Sequence, residues 1–126
     1  MSKAVFSRRV LNRIYGVADV PTISLDDYVE QTGARPTCLK IDVEGFECEV
    51  LAGARKTLAS KPSIFIEIHP EHIPMYGGSI EFLLDVLALD RYSHLWVQPD
   101  DKKTPVRVDR LTKADITRRL HVYAKP

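Results

Sequence analysis

Two apolar runs in this 126-residue chain each end in side chains that can do chemistry. Leu39 to Val43 delivers Asp42 and then Glu44, and Ile64 to His69 closes with Glu67 and His69. Side chains alternate along a strand, so Asp42 and Glu44 share one face, as do Glu67 and His69. Adjacent strands run about 4.8 Å apart, so as neighbours in register the two runs would gather all four groups at one edge. Asp42, Glu67 and His69 are oxygen and imidazole donors that suit a divalent cation such as Mg2+ or Mn2+. Such an ion would lower the pKa of a bound hydroxyl and fix its oxygen. Without an ion, His69 or one carboxylate can act as general base. Acids at the carboxyl end of parallel strands also lie where open α/β sheets bind their ligands.

The same residues have plain structural readings. Asp42 can cap the following helix, Glu44 can complement its dipole, and Glu47 and Glu49 are expected to do only that. Glu67 can pair with a basic residue, and His69 before Pro70 can stitch a loop. Lys40 shares the face of Asp42 and can neutralise it. His72, Tyr76 and Gly77-Gly78 can line an acceptor pocket or simply pack. His94 and His121 have no acidic neighbour in sequence and are read as structural, and Trp96 as core.

The elements that must position these groups can be read from the pattern. Val17 to Ile23 is β-prone but interrupted by Pro21. Ser24 is expected to cap a helix, with Asp27 three residues on and Gly33 closing it. Phe46, Val50, Leu51, Ala54 and Leu58 predict one amphipathic helix from Phe46 to Ala59, with Gly53 either allowing close packing on the sheet or merely tolerated there. Pro62 stops it. Ser79 caps a helix with Ile80, Leu83, Leu84 and Leu87 inward. Leu95 to Val97, Val106 to Val108 and Leu120 to Tyr123 read as strands. Strand and helix alternate, which indicates an α/β domain with a parallel sheet. The last strand follows no convincing helix and is expected to be antiparallel.

Length fits one domain, residues 1–126, with 1–16 a possible basic helix or extension. The formal charge of +1 provides no field to gather nucleic acid or anionic membrane. Arg8-Arg9 and Arg118-Arg119 are read as solvated surface. No apolar run approaches the roughly 20 residues that span a bilayer, and Met1 to Tyr15 lacks a signal core. Cys38, opening a buried strand, and Cys48, in the next helix, read as reduced thiols in the cytoplasm.

The run Lys40-Ile41-Asp42-Val43-Glu44-Gly45-Phe46-Glu47, then Val50-Leu51 and Gly53-Ala54, resembles the signature of the FkbM-type methyltransferases. So do Ser24-Leu25-Asp26-Asp27-Tyr28 upstream and Glu67-Ile68-His69 downstream. The resemblance covers Val20 to His69. It implies S-adenosylmethionine as cofactor, a Rossmann-like class I sheet of order 3-2-1-4-5-7-6, and methylation of a hydroxyl on a small molecule or glycan. On that reading Asp42 and Glu44 contact the cofactor, and Asp42, Glu67 and His69 are catalytic. The family's glycine-rich strand–turn–helix has no counterpart before Asp42, where Gly16 and Gly33 stand isolated. The resemblance is therefore to the C-terminal half of the domain, truncated at its N-terminal half.

Two functions follow. The chain is a methyltransferase or the C-terminal part of one. Alternatively it is a non-catalytic α/β module whose Leu39–Val43 edge pairs with a second copy or with a missing N-terminal half. A nucleic-acid binder and a metal-dependent hydrolase using Asp42, Glu44, Glu67 and His69 are weaker alternatives.

Overall fold

Ile64, Ile66 and Ile68 alternate with Ser63, Phe65 and Glu67, and β-branched residues at every second position favour a strand with one buried face. In the computed structural model, which describes residues 19–126, these residues form the centre of a five-stranded sheet. The strands are β1 (Cys38–Ile41), β2 (Ser63–Ile68), β3 (His94–Pro99), β4 (Val106–Val108) and β5 (Leu120–Lys125), in the order β1-β2-β5-β3-β4. The helices are α1 (Leu25–Thr32), α2 (Glu47–Ala52), α3 (Arg55–Ala59) and α4 (Ile80–Leu87). The N-terminal basic segment lies outside the described residues, and residues 19–23 form no strand.

The sheet is mixed, which corrects the mainly parallel arrangement expected from the element order. β1 and β2 are parallel, whereas β2–β5, β3–β5 and β3–β4 are antiparallel. β5 is antiparallel as expected, but it inserts between β2 and β3, so these two like-directed strands never touch. β1 pairs with β2 alone, and its outer edge has no strand beside it among the described residues.

The core lies on one face of the sheet. Leu39, Ile41, Ile64, Ile66, Ile68, Val122 and Ala124 meet Leu51, Leu58, Leu83 and Leu87 from the helices. Ile66, Ile68 and Leu83 are fully buried, and truncating any of them to alanine would cost about 2–5 kcal/mol. β1 is buried on alternate residues only, so Cys38 is exposed rather than enclosed; Cys48 is buried. Trp96 is half-buried with the Arg107 guanidinium over its ring, not in the core as expected.

The helix expected from Phe46 to Ala59 is broken at Gly53-Ala54. The Gly53 carbonyl accepts from Asp26 N–H, and a side chain at Gly53 would stand 2.9 Å from Ser24 Cβ. The Asp26 carboxylate in turn accepts from Lys56 N–H, Thr57 N–H and the Thr57 hydroxyl, capping α3 from outside it. Gly53 therefore admits the start of α1, not the sheet. Ser24 caps α1 through Asp27 N–H, and Ser79 caps α4 through Phe82 N–H, as their sequences predict.

Candidate functional site

Parallel pairing aligns Lys40 with Phe65 and Ile41 with Ile66, so Asp42 leaves β1 level with Glu67 on β2. β1 ends at Ile41, short of the predicted Val43, because the chain turns there. Phe46 N–H bonds the Val43 carbonyl, and Glu44 and Gly45 take φ of 54° and 108°. A Cβ on Gly45 would sit 2.5 Å from His72 Cβ, so the glycine is required both for its φ and for close approach. Glu44 reaches the cluster through this turn rather than by strand alternation.

His69 lies just beyond β2, 3% exposed. Its Nδ1 is 2.7 Å from Glu47 Oε1, and Glu47 is fully buried at the start of α2. Gly45 N–H donates to the same carboxylate oxygen at 3.0 Å. Glu47 Oε1 thus serves as an acceptor, so Nδ1–H donates to it and, in the neutral ring, Nε2 presents its lone pair. That Nε2 is buried without a hydrogen-bond partner. Around it stand Glu67 Oε1 at 3.6 Å, Asp42 Oδ1 at 3.9 Å and Glu44 Oε1 at 3.9 Å. Asp42, Glu67 and His69 each offer one ligand atom, all within 4.8 Å of one another. The His72 ring stacks parallel to His69 at 5.9 Å.

All four residues expected at the rim thus come together: Asp42, Glu44, Glu67 and His69. Lys40 does not neutralise Asp42; its ammonium lies over the Phe65 ring. Glu47, expected only to complement a helix dipole, is instead the group that holds His69. Its position four before Leu51 and seven before Ala54 put it on the buried stripe of the helix, a signal present in the sequence. His121, read as structural without acidic company, faces Glu67 across the β2–β5 ladder with Nε2 3.3 Å from Oε1. Arg119, read as solvated surface, places Nε 3.3 Å from Glu67 Oε1 and also pairs with Asp100, which holds its guanidinium above the usual range. Nothing local in sequence marks these two; His121 arrives through antiparallel register, and Arg119 from the residue just before β5.

Two concavities flank the cluster. An apolar groove of about 800 Å3 runs along β1 and α1, lined among others by Ile23, Tyr28, Val43, Glu44, Phe46 and Tyr76. A smaller one of about 300 Å3 is lined by His69, His72, Asp100, Arg118 and Arg119 among others. Glu44 borders the first while facing His69, so the cluster stands between the two.

The profile described as the methyltransferase FkbM domain matches residues 2–94. The chain belongs to the FkbM methyltransferase family. Hexuronic acid methyltransferase AglP of Haloferax volcanii is 42% identical over 81 residues, which cover 60% of this chain and 34% of that protein. The chain therefore spans about a third of the length of this curated relative. No solved structure matches. Asp42, Glu44, Glu47, Glu67 and His69 fall inside the region matched to the family, whereas Asp100, Arg119 and His121 lie beyond it.

Proposed function

We propose that this chain is the acceptor side of an S-adenosylmethionine-dependent methyltransferase that modifies a hydroxyl of a sugar or other small molecule. The observation that carries the reading is the His69 Nε2 lone pair, locked by Glu47 and aimed at Asp42 and Glu67 at the carboxyl ends of two parallel strands. Family membership supports methyl transfer, and a relative named for hexuronic acid supports a glycan acceptor. The order β1-β2-β5-β3 corresponds to the last four positions of 3-2-1-4-5-7-6, which supports a single α/β unit equivalent to the C-terminal half of a Rossmann-like class I sheet. Two free thiols suit a cytoplasmic setting.

The described residues do not form a whole pocket for the donor. The groove beside β1 is apolar with Glu44 at its rim, which fits one wall beside a sulfonium. The glycine-rich turn and the ribose-binding acid that would complete it have no counterpart among residues 19–126. What these residues do themselves is bind and orient a hydroxyl: Asp42 and Glu67 accept hydrogen bonds, and His69 Nε2 accepts the proton when the cluster holds no ion. Calorimetry with S-adenosylhomocysteine tests the reading. Uptake that weakens at least tenfold in Glu44→Gln supports it, and absence of heat at millimolar ligand overturns it for this chain.

A second reading, a non-catalytic module that pairs with another chain, is favoured by the open edge of β1 beside exposed Ile23 and Tyr28. Light scattering and amide exchange decide it. A dimer or partner complex with protected Leu39 to Ile41 amides is expected, and a monomer in which no partner slows these amides refutes it.

A further inference from the structure

We infer that Asp42, Glu67 and His69 form a binding site for a divalent cation of the Mn2+ type, with Glu44 as an outer ligand and Glu47 as the residue that positions His69. The binding claim stands apart from methyl transfer.

The site centres on His69 Nε2. It is a buried lone pair with no partner, and the three nearest charged groups are carboxylate oxygens, which also only accept. Asp42, Glu67 and His69 bring three acceptors within 4.8 Å of one another, with the Glu44 carboxylate beside His69, and they repel one another unless something positive sits among them. A proton on Nε2 would draw one oxygen into a charge-assisted hydrogen bond of about 2.7–2.9 Å. Instead three oxygens stand off at 3.6, 3.9 and 3.9 Å, none in hydrogen-bond range. Near-equal spacing is what one central ion imposes. Ligands bound at about 2.0–2.2 Å lie roughly 3–4 Å from each other, depending on the angle between them.

The second observation is the Glu47–His69 pair. Metal-bound histidines almost always donate their other N–H to a carboxylate, which fixes the tautomer and turns the free nitrogen to the ion. Here Nδ1 meets Glu47 Oε1 at 2.7 Å, with Glu47 fully buried and itself braced by Gly45 N–H. That arrangement presents Nε2, not Nδ1, to the cluster. The existing countercharge does not fill the role. Among the described residues, Arg119 is the one Lys or Arg within ion-pair distance of these four carboxylates, and it approaches Glu67 from the side of Asp100 and His121. The other candidate cluster, Glu67, Asp100 and His121, already has this guanidinium between its carboxylates.

The donor set points to the ion. One imidazole and two or three carboxylates suit Mn2+ better than Zn2+, which favours nitrogen and sulfur, or Ca2+, which takes six to eight oxygens. Asp42 and Glu44 are solvent-exposed, leaving coordination positions open to water or an acceptor hydroxyl. With the ion in place Nε2 is a ligand, and the acidified hydroxyl gives its proton to Glu44 or to water.

Electron paramagnetic resonance with Mn2+ alone tests the site on the intact chain. The free-ion sextet is expected to attenuate to saturation at one ion per chain. Asp42→Asn and Glu67→Gln should each weaken binding at least tenfold, and Glu47→Gln by about 10–100-fold. Asp109→Asn, at an exposed position, should leave it unchanged. Proton NMR gives a readout that does not depend on variants: Mn2+ should broaden the His69 ring signals and spare those of His94, at the opposite end of the sheet. An undiminished sextet at millimolar protein, or attenuation equal in wild type, Asp42→Asn and Glu67→Gln, overturns the inference.

Discussion

Replacing Glu47 by alanine removes the sole hydrogen-bond partner of two buried donors, Gly45 N–H and His69 Nδ1–H. Each buried donor left unpaired costs about 1–3 kcal/mol, and the vacated side-chain volume adds to this, so the expected loss is about 3–5 kcal/mol. His69→Ala leaves the Glu47 carboxylate buried against Gly45 N–H alone, and stranding one member of a buried pair costs a similar 3–5 kcal/mol. The double variant strands only Gly45 N–H, and its loss should be about 3–5 kcal/mol rather than twice that. The coupling between the sites is then about 3–5 kcal/mol. Urea unfolding of the four proteins at pH 7, followed by far-UV circular dichroism, measures each term. Losses that add to within about 0.5 kcal/mol would refute the pairing of Glu47 with His69 and the cation geometry built on it.

Gly45→Ala should lower stability by about 2–3 kcal/mol, through backbone strain at φ 108° and collision with His72, read as a melting temperature about 10 °C lower. Glu44→Gly should be neutral or stabilising by up to about 1 kcal/mol, since glycine tolerates the left-handed backbone, while Mn2+ binding weakens; marked destabilisation would contradict it. Partial burial raises the Asp26 carboxyl pKa, but hydrogen bonds from Lys56 N–H, Thr57 N–H and the Thr57 hydroxyl outweigh it and hold the group below its ordinary value. Its contribution is therefore complete above the unfolded pKa near 4 and is lost as pH falls through the lower folded value. Asp26→Ala should cost about 1–2 kcal/mol at pH 7, with the gap from wild type closing below about pH 4 in urea melts.

The parts of this fold set by local rules were legible in sequence. Ser24, Gly33 and Ser79 bound their helices as capping chemistry requires, and isoleucine alternation marked β2. Asp42, Glu67 and His69 could be assigned to one rim because parallel pairing of two neighbouring strands places their carboxyl ends together, whereas Glu44 arrives through the turn that follows β1. What failed depended on partners distant in sequence. The break at Gly53 exists because α1 docks on it, and no periodicity within residues 46–59 announces that contact. β5 separates β2 from β3, a choice of sheet order that element alternation leaves open. His121 joins Glu67 only through antiparallel register, and Arg119 follows from its place just before β5. Glu47 is a different case. Its place on the apolar stripe was visible, and a charged residue there requires a buried partner, which should have pointed to His69.

The turn after β1 carries a cost that packing does not explain. A non-glycine residue in the left-handed region is disfavoured by about 1–2 kcal/mol, and Glu44 occupies it at φ 54° with glycine as its immediate neighbour. Its side chain is 68% exposed, so burial gives nothing in return. Gly45 is needed where it stands, because His72 packs against it, but no such contact demands a glutamate at 44. What the glutamate does is place a carboxylate 3.9 Å from His69 Nε2 and on the rim of the apolar groove at once. Backbone strain retained without a packing reason is characteristic of sites where geometry serves chemistry. On the function proposed above, it would join the groove assigned to the methyl donor to the cluster assigned to the hydroxyl, and in-line transfer requires the two to be adjacent.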